Sequence, residues 1–142
     1  MKTPLDSGFI VDDEPDLTLN VKEYQRGTGS LQYLTSKTRP DITYSVNLLS
    51  RFNSRPTRKC WTGLIHLLKY IKGTTQLGLF YRYHGDCWPT GYSDSDWAGL
   101  NTEGRKSVGG YIFFIAGAPI SWNSKKQTCT AASSNEAEYI AA

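Results

Sequence analysis

Residues 108–123 read VGGYIFFIAGAPISWN, and they decide the fold. Tyr111, Phe113 and Ile115 alternate with Ile112, Phe114 and Ala116, so a strand here carries bulky apolar groups on both faces. Both faces call for cover, and a single helix layer hides only one. The runs Val108 to Ala116 and Ile120 to Asn123 are rich in β-branched and aromatic residues. Gly117-Ala118-Pro119 between them reads as the short link of an antiparallel hairpin.

Working outward, Leu77 to Tyr83 and Thr90 to Asp94 have the same short, aromatic or β-branched character and are predicted strands. Downstream, Ser133 or Ser134 caps a predicted helix containing Glu136, Ala137, Glu138, Tyr139 and Ile140. About eight residues are too few for a helix to stand alone, so it needs a surface to dock on.

Upstream the period lengthens from two to 3.6. Thr57 caps a helix whose stripe is Trp61, Leu64, Ile65, Leu68 and Ile71, ended by Lys69, Lys72 and Gly73. Pro40 and Asp41 suit a helix start, and Ile42, Val46, Leu49 and Phe52 carry a helix from 40 to 53, broken by Ser54-Arg55-Pro56. Val21, Tyr24, Leu31 and Leu34 predict a first helix over 21–36, which Gly27 and Gly29 weaken by about 1 kcal/mol each. Residues 1–20 read as an extended, mobile lead-in. The expected fold is α+β: a helical segment at 21–76, then a segment at 77–142 with a small antiparallel sheet and a short C-terminal helix.

At 142 residues and 39% hydrophobic content the chain is one domain or two small ones, which excludes collagen, mucin and long coiled coil. Its longest apolar run, Tyr111 to Ala118, falls well short of the roughly 18–20 residues of a spanning helix, so no membrane partner is expected. Pro4, Asp6, Asp12 and Asp13 stand where a secretory signal needs its apolar core, which predicts an intracellular protein. Cys60, Cys87 and Cys129 are an odd count, better suited to reduced thiols than to a disulfide framework. His84 and Cys87 lack the second close pair that a zinc site needs.

Charge is unevenly spread: residues 1–36 sum to −3, 37–82 to +8 and 83–142 to −2. Lys37, Arg39, Arg51, Arg55, Arg58, Lys59, Lys69 and Lys72 are interleaved with Tyr44, Trp61 and Tyr70. Such a field attracts phosphate backbones, and the expected behaviour is weak, salt-sensitive nucleic-acid binding. The alternative is a solvated cationic face over an aromatic core.

Two carboxylate pairs stand in otherwise apolar elements. Asp94 and Asp96 project to one side of a strand, and Glu136 or Glu138 can lean toward that strand's end. Converging carboxylates repel unless a cation neutralises them, and hard oxygen donors with water suit Mg²⁺. Alternatively, Asp96 closes a turn and Glu136 merely faces the helix N-terminus.

SLQYLTSKTRPDITYSVNLLSRFNSRPTRKCWTGLIHLLKYIKGTTQLGLFY (30–81), followed by GYSDSDWAG (91–99), RKSVGGYIFF (105–114), ISWNSKKQ (120–127) and NEAEYIAA (135–142), closely resembles the Copia (Ty1) class of LTR-retrotransposon polyproteins. The resemblance covers essentially the whole chain and implies the end of reverse transcriptase, its connection segment and the first half of an RNase H domain. It implies that Asp94 is the first catalytic aspartate and Glu138 the catalytic glutamate, with Glu136 its neighbour. Asp96, Arg105, Lys106 and Ser107 belong to the family pattern without assigned chemistry. The implied reaction is hydrolysis of RNA in an RNA–DNA hybrid by two Mg²⁺ ions about 3.5–4 Å apart. FIVDDEPD (9–16) is not a polymerase aspartate pair, because Glu14, Pro15 and Asp16 stand where an apolar strand would return.

The family's further acidic ligands come later in the domain, and the sequence ends at Ala142 before any of them. A protein catalytically incomplete on its own is therefore expected, with no Mg²⁺ firmly held. Its expected partners are nucleic acid, the missing polyprotein segments or a host protein. Two alternatives remain: a co-opted, non-enzymatic binding or effector protein, and an RNase H completed by a second chain.

Overall fold

The computed structural model describes residues 2–6, 8–11, 14, 16–83, 87–96, 107–128 and 133–141. The chain is α+β and divides into two units, Met1–Gly78 and Leu79–Ala142.

In the first unit, helix α1 spans Val21–Lys37, and its N-cap Asn20 accepts a hydrogen bond from the Glu23 N–H at 3.3 Å. The helix expected over 40–53 is divided: Pro40–Ile42 form a 3-10 turn, and α2 runs Thr43–Ser50. Arg39 folds back on Asp41 at that turn, which gives the short tight start a tertiary reason. Helix α3 spans Arg58–Gly73, and Thr57 Oγ1 accepts from the Cys60 N–H at 3.1 Å.

The core joins Tyr24 and Leu31 of α1, Ile42, Val46 and Leu49 around α2, and Cys60, Leu64, Leu67 and Tyr70 of α3. Burying a side chain such as Leu67 stabilises by about 1.5–3 kcal/mol. The stripe expected on α3 is corrected. Its buried face is Cys60, Gly63, Leu64, Leu67 and Tyr70, with Trp61 and Ile71 half-buried at its margin and Ile65 and Leu68 exposed. Gly63 sets this rotation, since the side without a side chain admits the closest neighbour. The lead-in is corrected too. Its described residues form no helix or strand, but Phe9 and Val11 pack on the core, the Asp16 N–H donates to the Pro56 carbonyl, and His66 Nε2 donates to the Thr3 carbonyl at 3.0 Å.

In the second unit, β1 (Thr90–Asp96), β2 (Val108–Ile115) and β3 (Ala118–Lys126) form an antiparallel sheet in the order β1-β2-β3. The hairpin link is Ala116-Gly117, both at positive φ, and Ala118 and Pro119 belong to β3. A two-residue turn with both φ positive matches strand twist, and an edge strand tolerates the proline. Leu77 to Tyr83 form no strand: Leu77, Phe80, Tyr81 and Tyr83 are exposed, and the Tyr81 hydroxyl donates to the Pro119 carbonyl instead. Side-chain character alone does not make a strand where no neighbour takes up the ladder bonds. Helix α4 spans Ser134–Ala141 and packs on β1 and β2.

Candidate functional site

Register places the aspartates at one end of the sheet. Asp94 lies opposite Gly110 and Asp96 opposite Val108, both on the same face and both exposed. Glycine across from Asp94 leaves that carboxylate without a cross-strand side chain. One Asp94 oxygen accepts from the Ser95 N–H at 2.8 Å.

Helix α4 is anchored at the same end of the sheet. Ser133 is its cap, the Oγ accepting from the Glu136 N–H at 3.2 Å. Ala137 is fully buried, and its carbonyl accepts from Gln127 Nε2 at 2.9 Å. The Gln127 N–H in turn bonds the Ser107 carbonyl, one step beyond the end of the β2–β3 ladder. Glu136 and Glu138 flank Ala137 and are both exposed. Among the described residues, no three acidic, imidazole or thiol groups converge as a metal-holding cluster. Sequence reasoning missed Gln127, because nothing in NSKKQ distinguishes the glutamine that ties a helix to a sheet.

The cations separate into distinct environments. Arg39 is buried: its Nε and Nη2 donate to the two Asp41 carboxylate oxygens at 2.9 and 2.8 Å, and its Nη1 and Nη2 donate to the Thr74 carbonyl and hydroxyl. It also sits over the Tyr70 ring, whose hydroxyl donates to Asp41. Arg39 is thus a strut between the 3-10 turn and the end of α3, with four of its N–H donors engaged inside the protein. Partial burial works to raise the Asp41 pKa, but the bonds from Arg39 and Tyr70 together outweigh it and hold the carboxyl below its ordinary value.

Lys37 covers the Tyr33 ring, and Arg51 is half-buried, with desolvation lowering its pKa. Arg55, Arg58, Lys69 and Lys72 are exposed, and Lys59 is half-buried. Arg58, Lys69 and Lys72 recur at helical spacing on one exposed stripe of α3, over about 20 Å. Arg58 and Lys59 occupy the first turn of α3, where the helix dipole disfavours a cation by about 0.3–1 kcal/mol.

No protein-family model matches the chain, and no solved structure matches it. It is 45% identical over 117 residues to the retrovirus-related Pol polyprotein from transposon RE2 of Arabidopsis thaliana, covering 82% of this chain and 8% of that protein. It is 42% identical over 127 residues to the Pol polyprotein from transposon TNT 1-94 of Nicotiana tabacum, covering 84% of this chain and 9% of that one. The chain belongs to the Copia-like retrotransposon Pol family. It spans less than a tenth of the length of those two Pol relatives. It is also 42% identical over 118 residues to secreted RxLR effector protein 161 of Plasmopara viticola, covering 83% of this chain and 82% of that protein.

Within this Copia-like Pol segment several sequence expectations fall outside the described residues: Asp12 and Asp13, His84, Arg105 and Lys106, and Cys129. Cys60 is a buried free thiol and Cys87 an exposed one. No described helix is long and apolar enough to cross a membrane.

Proposed function

We propose that this chain is the part of a Copia-like Pol polyprotein in which the reverse transcriptase connection passes into RNase H, and that it contributes Asp94 and Glu138 to the hydrolytic site of RNase H. The docking of α4 at the end of β1 supports this reading, because it brings the element bearing Glu138 to the strand end bearing Asp94. Asp94 and Glu138, with Asp96 and Glu136 beside them, are the oxygen donors that would hold Mg²⁺. That ion would supply charge stabilisation at the phosphate. Among the described residues no three such groups converge, so these carboxylates would hold a hard cation loosely and would not hold two in register. Alone, the chain is therefore a poor nuclease that binds an RNA–DNA hybrid weakly, through the exposed stripe of Arg58, Lys69 and Lys72 and the neighbouring Arg55 and Lys59. An intracellular site of action accompanies this reading.

The test is purified protein with a labelled RNA–DNA hybrid and Mg²⁺. Salt-sensitive binding without cleavage is expected. Cleavage that Asp94→Asn abolishes would overturn the claim of incompleteness.

A second reading is favoured by the effector, 82% of which this chain covers at 42% identity. In it the same fold serves as a stand-alone, non-enzymatic binding protein. Identical activity of Asp94→Asn/Glu138→Gln and wild type in a binding assay, with no hybrid cleavage by either, would favour it.

A further inference from the structure

One face of the sheet carries two exposed aromatic rings side by side. Tyr111 and Phe113 of β2 are 39% and 44% exposed; on the opposite face Ile112 and Phe114 are half-buried and Tyr92 of β1, edge-on to Phe114, is exposed. The two exposed rings lie 5.7 Å apart at 55°. Phe113 extends over β1 at Gly91, where a Cβ would fall 2.5 Å from its Cε1 and 2.8 Å from its Cδ1. Only glycine admits this arrangement, which lays the ring across the backbone of the neighbouring strand.

Around the rings the same face carries Ser93, Ser121, Asn123 and Lys125, all exposed. A groove of about 300 Å³ lies beside Tyr111, with Asn123 and Lys125 in its wall. The side-chain Oδ1 of Asn123 accepts from the Ser124 N–H at 2.8 Å, so the amide's acceptor is occupied. Among the described residues of this face, the aliphatic side chains are confined to the turn end, at Ile115 and Ala118, with Ile120 at the bulge beside them. Two rings among hydroxyls, an amide and an ammonium offer too little apolar area for a protein core. They do offer stacking surfaces with hydrogen-bond donors and a cation for the intervening phosphates.

We propose that this face binds a single nucleic-acid strand, with bases stacked on Tyr111 and Phe113 and the backbone tracked by Lys125 and Asn123. The ligand and the surface both differ from those of the hybrid-binding reading, so either stands without the other.

The experiment is fluorescence anisotropy of a labelled oligouridylate of about 12 nucleotides with the full chain at several salt concentrations. Tyr111→Leu and Phe113→Leu are each expected to weaken binding by about fivefold or more, while Tyr111→Phe stays within about twofold. Lys125→Gln is expected to lower the slope of log affinity against log salt by about 0.7. Gly91→Ala, which displaces the Phe113 ring without removing it, should act like Phe113→Leu. Circular dichroism of each variant separates lost stacking from lost folding. No binding by the wild type, or binding unchanged in both leucine variants, overturns the proposal. So does leucine-variant loss of concentration-dependent self-association without loss of RNA affinity, which would assign the face to a second copy. Hybrid binding that survives in the ring variants leaves the hybrid reading in place.

Discussion

Gly63 makes the room that Phe9 occupies: a Cβ on Gly63 would lie 2.8 Å from the Phe9 Cζ and 3.2 Å from the Leu49 Cδ2. A segment without helix or strand is thereby locked onto α3 by one aromatic side chain. Gly63→Ala is expected to destabilise the first unit by about 1–3 kcal/mol, read by urea denaturation. Phe9→Ala also destabilises, and the double variant costs less than the two single losses together, because the clash disappears with the ring.

Gly27 and Gly29, four and two residues before Leu31 on α1, respond differently to the same change. A Cβ at Gly27 meets Leu64 Cδ2 at 3.0 Å, whereas at Gly29 nothing lies within 4 Å. Gly29→Ala should stabilise by about 0.5–1 kcal/mol through helix propensity alone. Gly27→Ala should fall short of that gain. Paired thermal melts compare the two.

Arg39 and Asp41 form a strut whose loss strands several partners. Arg39→Ala is expected to cost about 2–3 kcal/mol, less than a fully buried pair because the Asp41 side chain is 34% exposed. Arg39→Lys should not restore stability, because one ammonium cannot serve both Asp41 oxygens and Thr74. The Asp41 pKa is lowered in the folded protein, so its contribution is present above the ordinary carboxylate pKa of 3.8 and is lost as pH falls through the lower folded value. Asp41→Asn should flatten the acid limb of the stability profile below about pH 4.

The Tyr24 hydroxyl donates to the Leu49 carbonyl at 2.9 Å inside the core, where burial, with the Cys60 thiol beside it, pushes the phenol pKa upward. Tyr24→Phe removes one donor from that carbonyl, which still accepts from the Phe52 N–H at 3.1 Å, and should cost about 1 kcal/mol in denaturant unfolding, with little change in m-value.

If the cation stripe tracks phosphates, Arg58→Gln and Lys69→Gln should each reduce the salt slope of hybrid binding by about 0.9, the increment for one duplex phosphate contact. Arg39→Lys should leave that slope unchanged, since its guanidinium is engaged internally. Filter binding across a salt series reads both.

Much of the architecture is visible in residue order. Capping residues Asn20 and Thr57 lie at the expected helix starts, and the Ser133 cap and the two-sided strand over 111–115 have the anticipated positions. Such features are local: they depend on a side chain reaching its own backbone or on alternation every second residue. The link expected at Gly117-Ala118-Pro119 moves one residue upstream, because turn geometry selects two positive-φ positions and no composition rule chose Ala116.

The sequence by itself determined the α+β succession, the family and the identities of the carboxylates that the family pattern singles out, since these follow from short-range periodicity and motif order. Tertiary structure decided which face of α3 is buried, that the lead-in packs through Phe9, and that Arg39 is an internal strut while Arg58, Lys69 and Lys72 stay exposed. Each of these depends on residues distant in the chain competing for the same volume or the same hydrogen bonds, and close packing lets only one arrangement win.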